Sequence, residues 1–356
     1  MKLKRIYYGK VEGVTIPVGF YYVGGTKDSG LVISDNSADE NKYKGQTTVG
    51  TDLQGNQYVW IEVPKTAAVY PTAGLAITSF TDDEYTKIED DLHTYTSVYR
   101  NGTSYTDTYY PDKKNTGWFE SADKYNEAKQ KMLKSVYENG GFYVGRYETG
   151  IAITQSPRTT SGDTTQIPVI KANAYPYNYV TRTQAKVLAE NMAHGDKTTS
   201  LMFGVQWDLV LKYLETKNAA TQDQLKTDSK DIGNYANAKF KMTSTKAKYA
   251  IYSQSSYTLG TWNDVPADYE KPDSGTENWV LLTTGANETR NSQMNICDIA
   301  GNVWECTLEK TSGADFPCAS RGGYYNYNGS SYPASYRLNG GTSSSSNNLG
   351  FRVSLY

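Results

Sequence analysis

The sequence predicts an α+β fold built from twisted antiparallel sheets, about three helices and long irregular loops. Three observations carry that expectation. Short runs of β-branched and aromatic residues are cut by glycine or proline, a few stretches repeat apolar residues at helical spacing, and no unit recurs at a fixed period. From Val14 to Val23, VTIPVGFYYV reads as a strand ended by Gly24 and Gly25, and LVIS at Leu31 to Ser34 reads as another. The polar run 35–55 reads as a loop or hairpin, and YVWIEV at Tyr58 to Val63 is a third strand stopped by Pro64. Between 65 and 120 the periodicity gives way to Thr, Tyr, Asp and Gly, which predicts a surface insertion rather than core.

Ser121 to Asn139 is the first helix. Tyr125, Ala128, Met132, Val136 and Tyr137 share one face, and Gly140 and Gly141 end it. GFYVGRYE at Gly141 to Glu148 follows as a strand, and a Pro- and Thr-rich connection fills 150–180. Thr181 and Gln184 form a capping box for a second helix to about Met192, with Ala185, Leu188 and Met192 inward. Ser200 to Glu215 holds a third, in which Trp207, Val210, Leu211 and Leu214 repeat at i, i+3, i+4 and i+7. The polar stretch 216–275 has a strand-like piece at Tyr249 to Tyr252, and WVLL at Trp279 to Leu282 is a further strand. Leu349, Phe351, Val353 and Leu355 close the chain in strand-like alternation.

At 356 residues with a net charge of −2, the chain can bury a core and carries no basic stripe for nucleic acid or anionic lipid. No stretch is long enough to span a bilayer. The first residues are positively charged without a following apolar run, so no secretory signal is read and an exterior protein would travel by another route, such as a phage particle released by lysis. Thirty-two Tyr against 8 Phe favour contact faces and half-buried surfaces over a greasy interior. Cys297, Cys306 and Cys318 are odd in number and few, which predicts reduced structural thiols; a Cys306–Cys318 bridge stays open on spacing.

The last stretch stands apart. Of the 25 residues from Tyr324 to Asn348, five are Tyr, seven Ser, five Asn and three Gly. Tyr supplies large amphipathic contact area at low rotamer cost while Ser, Gly and Asn supply adaptable hydrogen bonding, the mixture of antibody paratopes. The window lacks Lys, Glu, Gln, Met and Trp, the five types that an AAC or AAT codon cannot become by changing its adenines alone. Tyr325, Asn326, Tyr327, Asn328, Ser330, Ser331, Tyr332, Ser335, Tyr336, Asn339, Thr342, Ser343 and Ser345 are the expected binding face. The competing reading is a flexible polar tail, which has no need of the strand-like ending.

GFYVGRYETG at Gly141, LMFGVQW at Leu201, NICDIAGNVWE at Asn295, RGG at Arg321 and NLGFR at Asn348 occur in an order that resembles the formylglycine-generating-enzyme branch of the C-type lectin fold. The resemblance covers roughly the final two thirds of the chain. It implies one elaborated domain over 1–356, with the insertion at 65–120, a variable ligand-binding segment at 321–353, and N- and C-terminal strands paired in one sheet. Two functions live on this branch. The copper-dependent oxidase needs a cysteine pair between RGG and GFR, and here that segment has none, so an oxidase or its inactive relative is the alternative. The variable proteins of diversity-generating retroelements instead display changing side chains from that segment, with Gly322, Gly323, Gly350 and Phe351 as scaffold. That resemblance implies a non-enzymatic receptor-recognition protein without cofactor or metal, phage- or cell-surface-associated. Its partner would be a protein or glycan on a bacterial or host surface.

The remaining constellations have plainer readings. His93 and His194 lie about a hundred residues apart, and no catalytic or metal-ligand spacing is assembled from them. Trp207 and Trp304 are expected in the core. Asp298, Asn302 and Glu305 could surround a structural calcium, but loop hydrogen bonds by Asn302 and Glu305 account for them more simply.

Overall fold

The computed structural model describes residues 9–100, 104–195, 197–287 and 290–356. Its spine is a six-stranded antiparallel sheet in the order Thr199–Leu201, Val353–Leu355, Gly141–Gly145, Gln57–Glu62, Val32–Ser34 and Tyr21–Gly24. Both faces of its central strands are buried, which is why Val32–Ser34 and Gln57–Glu62 read as nearly unbroken apolar runs rather than alternating ones. The C-terminal strand shares this sheet with the N-terminal ones, but Gly141–Gly145 lies between, so the expected direct pairing of terminal strands is not found among the described residues. VTIPVGFYYV is two strands, Val14–Ile16 and Tyr21–Gly24. Pro17 lacks a ladder donor, Gly19 takes φ +85°, and the Phe20 N–H closes the turn on Pro17 O at 3.1 Å.

Among the described residues five α-helices, rather than about three, flank the sheets. The helix α1, Asp82–Tyr95, opens on a Thr81–Glu84 capping box and buries Ile88 and Leu92. The stretch 65–120 is therefore more than a surface insertion: Val69, Tyr70, Tyr99 and Trp118 also belong to the main core. His93 sits in the last turn of α1, largely buried, where desolvation and the Arg100 charge push its imidazole down to about 4. The second helix, α2 at Ala122–Asn139, is capped by Ser121 and ends at Gly140 with φ +72°, a left-handed position that favours glycine. The expected capping box opens α3, Arg182–Glu190, which ends before Met192.

The expected third helix begins four residues late. Thr199–Leu201 is a strand, because it completes the edge of the main sheet beside Val353–Leu355, and α4 runs Gly204–Thr216. Its first amides, Gly204 N and Val205 N, donate to the Asp107 carboxylate at 2.7 and 2.9 Å, a cap supplied from a distant segment. Trp207, Val210, Leu211 and Leu214 are buried as expected. A short α5, Gln222–Lys226, follows on a second Thr/Gln capping box. No helix among the described residues is long and apolar enough to cross a membrane.

A second sheet carries the C-terminal region, in the order Arg337–Gly340, Cys318–Arg321, Trp304–Thr311 and Leu349–Phe351, the last pair parallel. The chain steps from this sheet into the spine at Arg352. That buried guanidinium pairs with the Glu305 carboxylate at 2.7 Å and donates to the carbonyls of Gly145, Cys297 and Asp298. Asn302 donates to Glu148 Oε2 and accepts from the strand amide Leu282 N, and Glu305 pairs with Arg352, so the expected loop amides are not their partners here. Asp298 accepts from Gly285 N at 2.6 Å. Cys297, Cys306 and Cys318 are buried, and burial pushes the Cys306 and Cys318 thiols up to about 12 and about 11, far from reactive thiolates.

Candidate ligand-binding face

Strands Cys318–Arg321 and Arg337–Gly340 pair from Cys318 opposite Gly340 to Arg321 opposite Arg337, so the intervening residues 322–336 form a long loop closed at its neck. The neck is locked by four buried charges. Asp208 of α4 receives Arg321 Nη2 at 2.7 Å and Arg337 Nη2 at 2.6 Å, while Glu309 receives Arg337 Nε at 2.9 Å and Arg321 Nη1 at 3.4 Å. Two cations and two anions alternate, which makes their burial tolerable. Burial pushes the Glu309 carboxyl up, and the two guanidiniums pull it back.

Beyond the neck the loop backbone is tied down along its length. Gly322 O accepts from Tyr235 OH and from Gly301 N; Tyr325 N donates to Asn302 O; Tyr327 O accepts from Ala236 N. Gly329 N donates to Asn237 Oδ1, Ala334 O accepts from Trp207 Nε1 at 3.0 Å, and Ser335 N donates to Leu225 O. Gly323 has φ +78°, and a Cβ there would stand 2.2 Å from Tyr332 O. A loop with this many fixed carbonyls and amides does not resemble a floppy tail.

On this backbone the rings are sorted. Trp304 is buried, as expected of a core tryptophan, and forms a floor: Tyr332, Tyr324 and Tyr336 lie over it with centroids at 5.2, 5.5 and 6.0 Å. Tyr327 stacks on Tyr324 at 5.3 Å and stands 44% exposed, with Tyr332 5.0 Å from it and Tyr336 4.8 Å from Tyr332. Asn328, Ser330 and Ser331 are exposed beside them, and Asn326 is half-buried.

Two of the expected face residues point the other way. Tyr325 is 0% exposed and packs with Leu281 and Val303, its ring 6.1 Å from Tyr252. Neighbouring loop residues here turn to opposite sides, so the buried Tyr324 packs on Trp304 beneath Tyr327 and Tyr325 packs into the Leu281–Val303 cluster. Ser335 is likewise buried, its amide held by α5. Both support the face from beneath rather than belong to it.

Asn339, within the strand Arg337–Gly340, and Thr342, Ser343 and Ser345, just beyond it, form a second group. Asn339 accepts from Tyr105 OH at 2.5 Å, Ser345 Oγ meets Ser161 Oγ at 2.9 Å, and Thr342 O accepts from Asn115 Nδ2 at 3.1 Å. Segments 105–115 and 158–179 therefore border the face, which the sequence did not indicate. The sequence expectations also omit Asp208 and Glu309; Asp208 is a carboxylate inside the apolar run WDLVL, where a buried partner is to be expected, whereas Glu309 lies in the polar TLEKT and carries no such signal.

The fold is α+β with mostly antiparallel sheets and long loops, as expected. No protein-family model matches the chain, and no curated protein does. Among solved structures it is similar to Treponema denticola variable protein 1, at 13% identity and a TM-score of 0.33, over 60% of this chain and 84% of that one. It is also similar to CarF, at 12% identity and a TM-score of 0.35, over 60% of this chain and 85% of that one.

Proposed function

We propose that the chain is a non-enzymatic recognition protein whose C-terminal segment is diversified at adenine-bearing codons and presents Tyr327, Tyr332 and Tyr336, with Asn328, Ser330 and Ser331, to a ligand. The observation that carries this reading is the half-exposed tyrosine cluster held on a backbone fixed at both ends. Aromatic anchors gain most when the surface that bears them is already ordered, because little conformational entropy is then lost on binding. The ligand is a protein or glycan on a bacterial or host surface, and the protein reaches it from a phage particle or a cell surface. An oxidase of the formylglycine-generating type finds little support: its chemistry needs thiolates beside the loop, whereas Cys306 and Cys318 are protonated and buried in the strands below it.

The flanking DNA tests the proposal. A neighbouring reverse transcriptase gene should accompany an imperfect copy of the codons for 324–348, with differences confined to adenines of the copy. Differences at other bases, or no copy at all, would remove the basis of the reading.

A further inference from the structure

Away from the loop, Glu89 and His93 stand one turn apart on α1, and Asp107 approaches from the segment that caps α4. Each offers one ligand atom, and the three atoms lie within 4.8 Å of one another. The arrangement fits an ion better than a hydrogen-bond network. His93 Nε2 is buried without a hydrogen-bond partner among the described residues. The Glu89 Oε1 in front of it is 3.9 Å away, too far for a hydrogen bond. That separation is near the roughly 3.3–3.5 Å between two ligands of one tetrahedral zinc whose bonds are about 2.0–2.2 Å.

The other two groups are already oriented. Both Asp107 oxygens accept α4 amides, which fixes the carboxylate and leaves a lone pair on each oxygen. Lys129 Nζ takes Glu89 Oε2 at 2.7 Å and Asp107 O at 2.9 Å, so Glu89 Oε1 remains for an ion. We infer that Glu89, His93 and Asp107 form a site for Zn2+, with water in the fourth position. One neutral imidazole with two carboxylates suits Zn2+ better than Ca2+, which takes oxygen alone, or Cu(I), which takes sulfur. The nearby Lys129 and Arg100 charges weaken the site relative to one with unpaired carboxylates and no neighbouring cation. An ion here staples α1 to the first turn of α4, the helix that carries Trp207 and Asp208 beneath the loop.

The test uses the full chain stripped with a chelator, titrated with Zn2+ by calorimetry and with Co2+ by visible absorption. One ion per chain is expected, with a rise in melting temperature. Both effects are lost in His93→Ala, weakened at least tenfold in Glu89→Gln, and kept in His194→Ala. No uptake, or uptake that His93→Ala and Glu89→Gln leave unchanged, overturns the assignment. Should His93→Ala fail to fold, the near-isosteric Glu89→Gln decides alone.

Discussion

Tyr324 and Tyr325 are adjacent, chemically identical and both buried, yet Tyr324 packs between Trp304 and the exposed Tyr327 while Tyr325 packs on the other side with Leu281 and Val303. Energetics should separate the two sides of the loop. Truncating Tyr325 to Ala removes a fully buried ring and is expected to cost about 3–5 kcal/mol in urea unfolding. Tyr327→Ala, on a ring 44% exposed, should stay within about 0.5 kcal/mol while abolishing ligand capture. The reverse order of these two losses would place the recognition surface wrongly. Gly329 extends the argument, since a Cβ there would meet Lys230 N at 2.3 Å, whereas at Gly340 and Gly341 it would find ordinary contacts of 3.5 Å or more. Gly329→Ala should therefore cost about 1–3 kcal/mol and Gly341→Ala much less. Composition set the window apart from the rest of the chain, but a loop has no period, so nothing in YYNYNGSS says which ring turns inward or which glycine is wedged.

At the scale of elements, the loop is only as stiff as its neck. Arg321 and Arg337 enter from paired strands, Asp208 from α4 and Glu309 from the central strand of the second sheet, so four elements meet in one charge box. Asp208→Asn keeps the shape and removes one of two anions, leaving Arg321 and Arg337 to share Glu309 and Arg100, 3.7 Å from Asp208, without its carboxylate. The expected cost is about 3–5 kcal/mol, read by urea unfolding, with faster amide exchange across 322–336. Unchanged exchange in that loop would mean that its backbone ties hold it without the box. Helices with local start and stop signals were legible: Ser121 and Gly140 bracket α2, and Thr181 with Gln184 opens α3. α1 carries the same kind of signal in Thr81 and Glu84, but its apolar face, Tyr85, Ile88, Leu92 and Tyr95, is diluted by acidic residues, so the stretch reads as surface insertion. The start of α4 was not legible, because Thr199–Leu201 becomes a strand only through pairing with residues more than 150 positions away.

Across the whole molecule, the two sheets meet at Arg352, and the C-terminal 62 residues from Asn295 supply strands to both. A segment that varied freely would thus endanger the entire core unless variation were confined to side chains that leave it. The burial pattern provides that division: Tyr327, Asn328, Ser330, Ser331, Asn339 and Ser343 are exposed, while Tyr325, Gly329, Ala334, Ser335 and Arg337 are buried among them. Two libraries built from the same adenine-reachable residue types test it. Randomising the exposed set should leave most members folded, with melting temperatures within about 4 °C of the parent, a shift equivalent to roughly 1 kcal/mol or a little more. Randomising the buried set should leave few members soluble, because each position either fills the core or closes the neck. Equal survival of the two libraries would mean that the framework does not depend on these residues, and a protein that tolerated change everywhere in the window would have no fixed platform from which to present a binding surface.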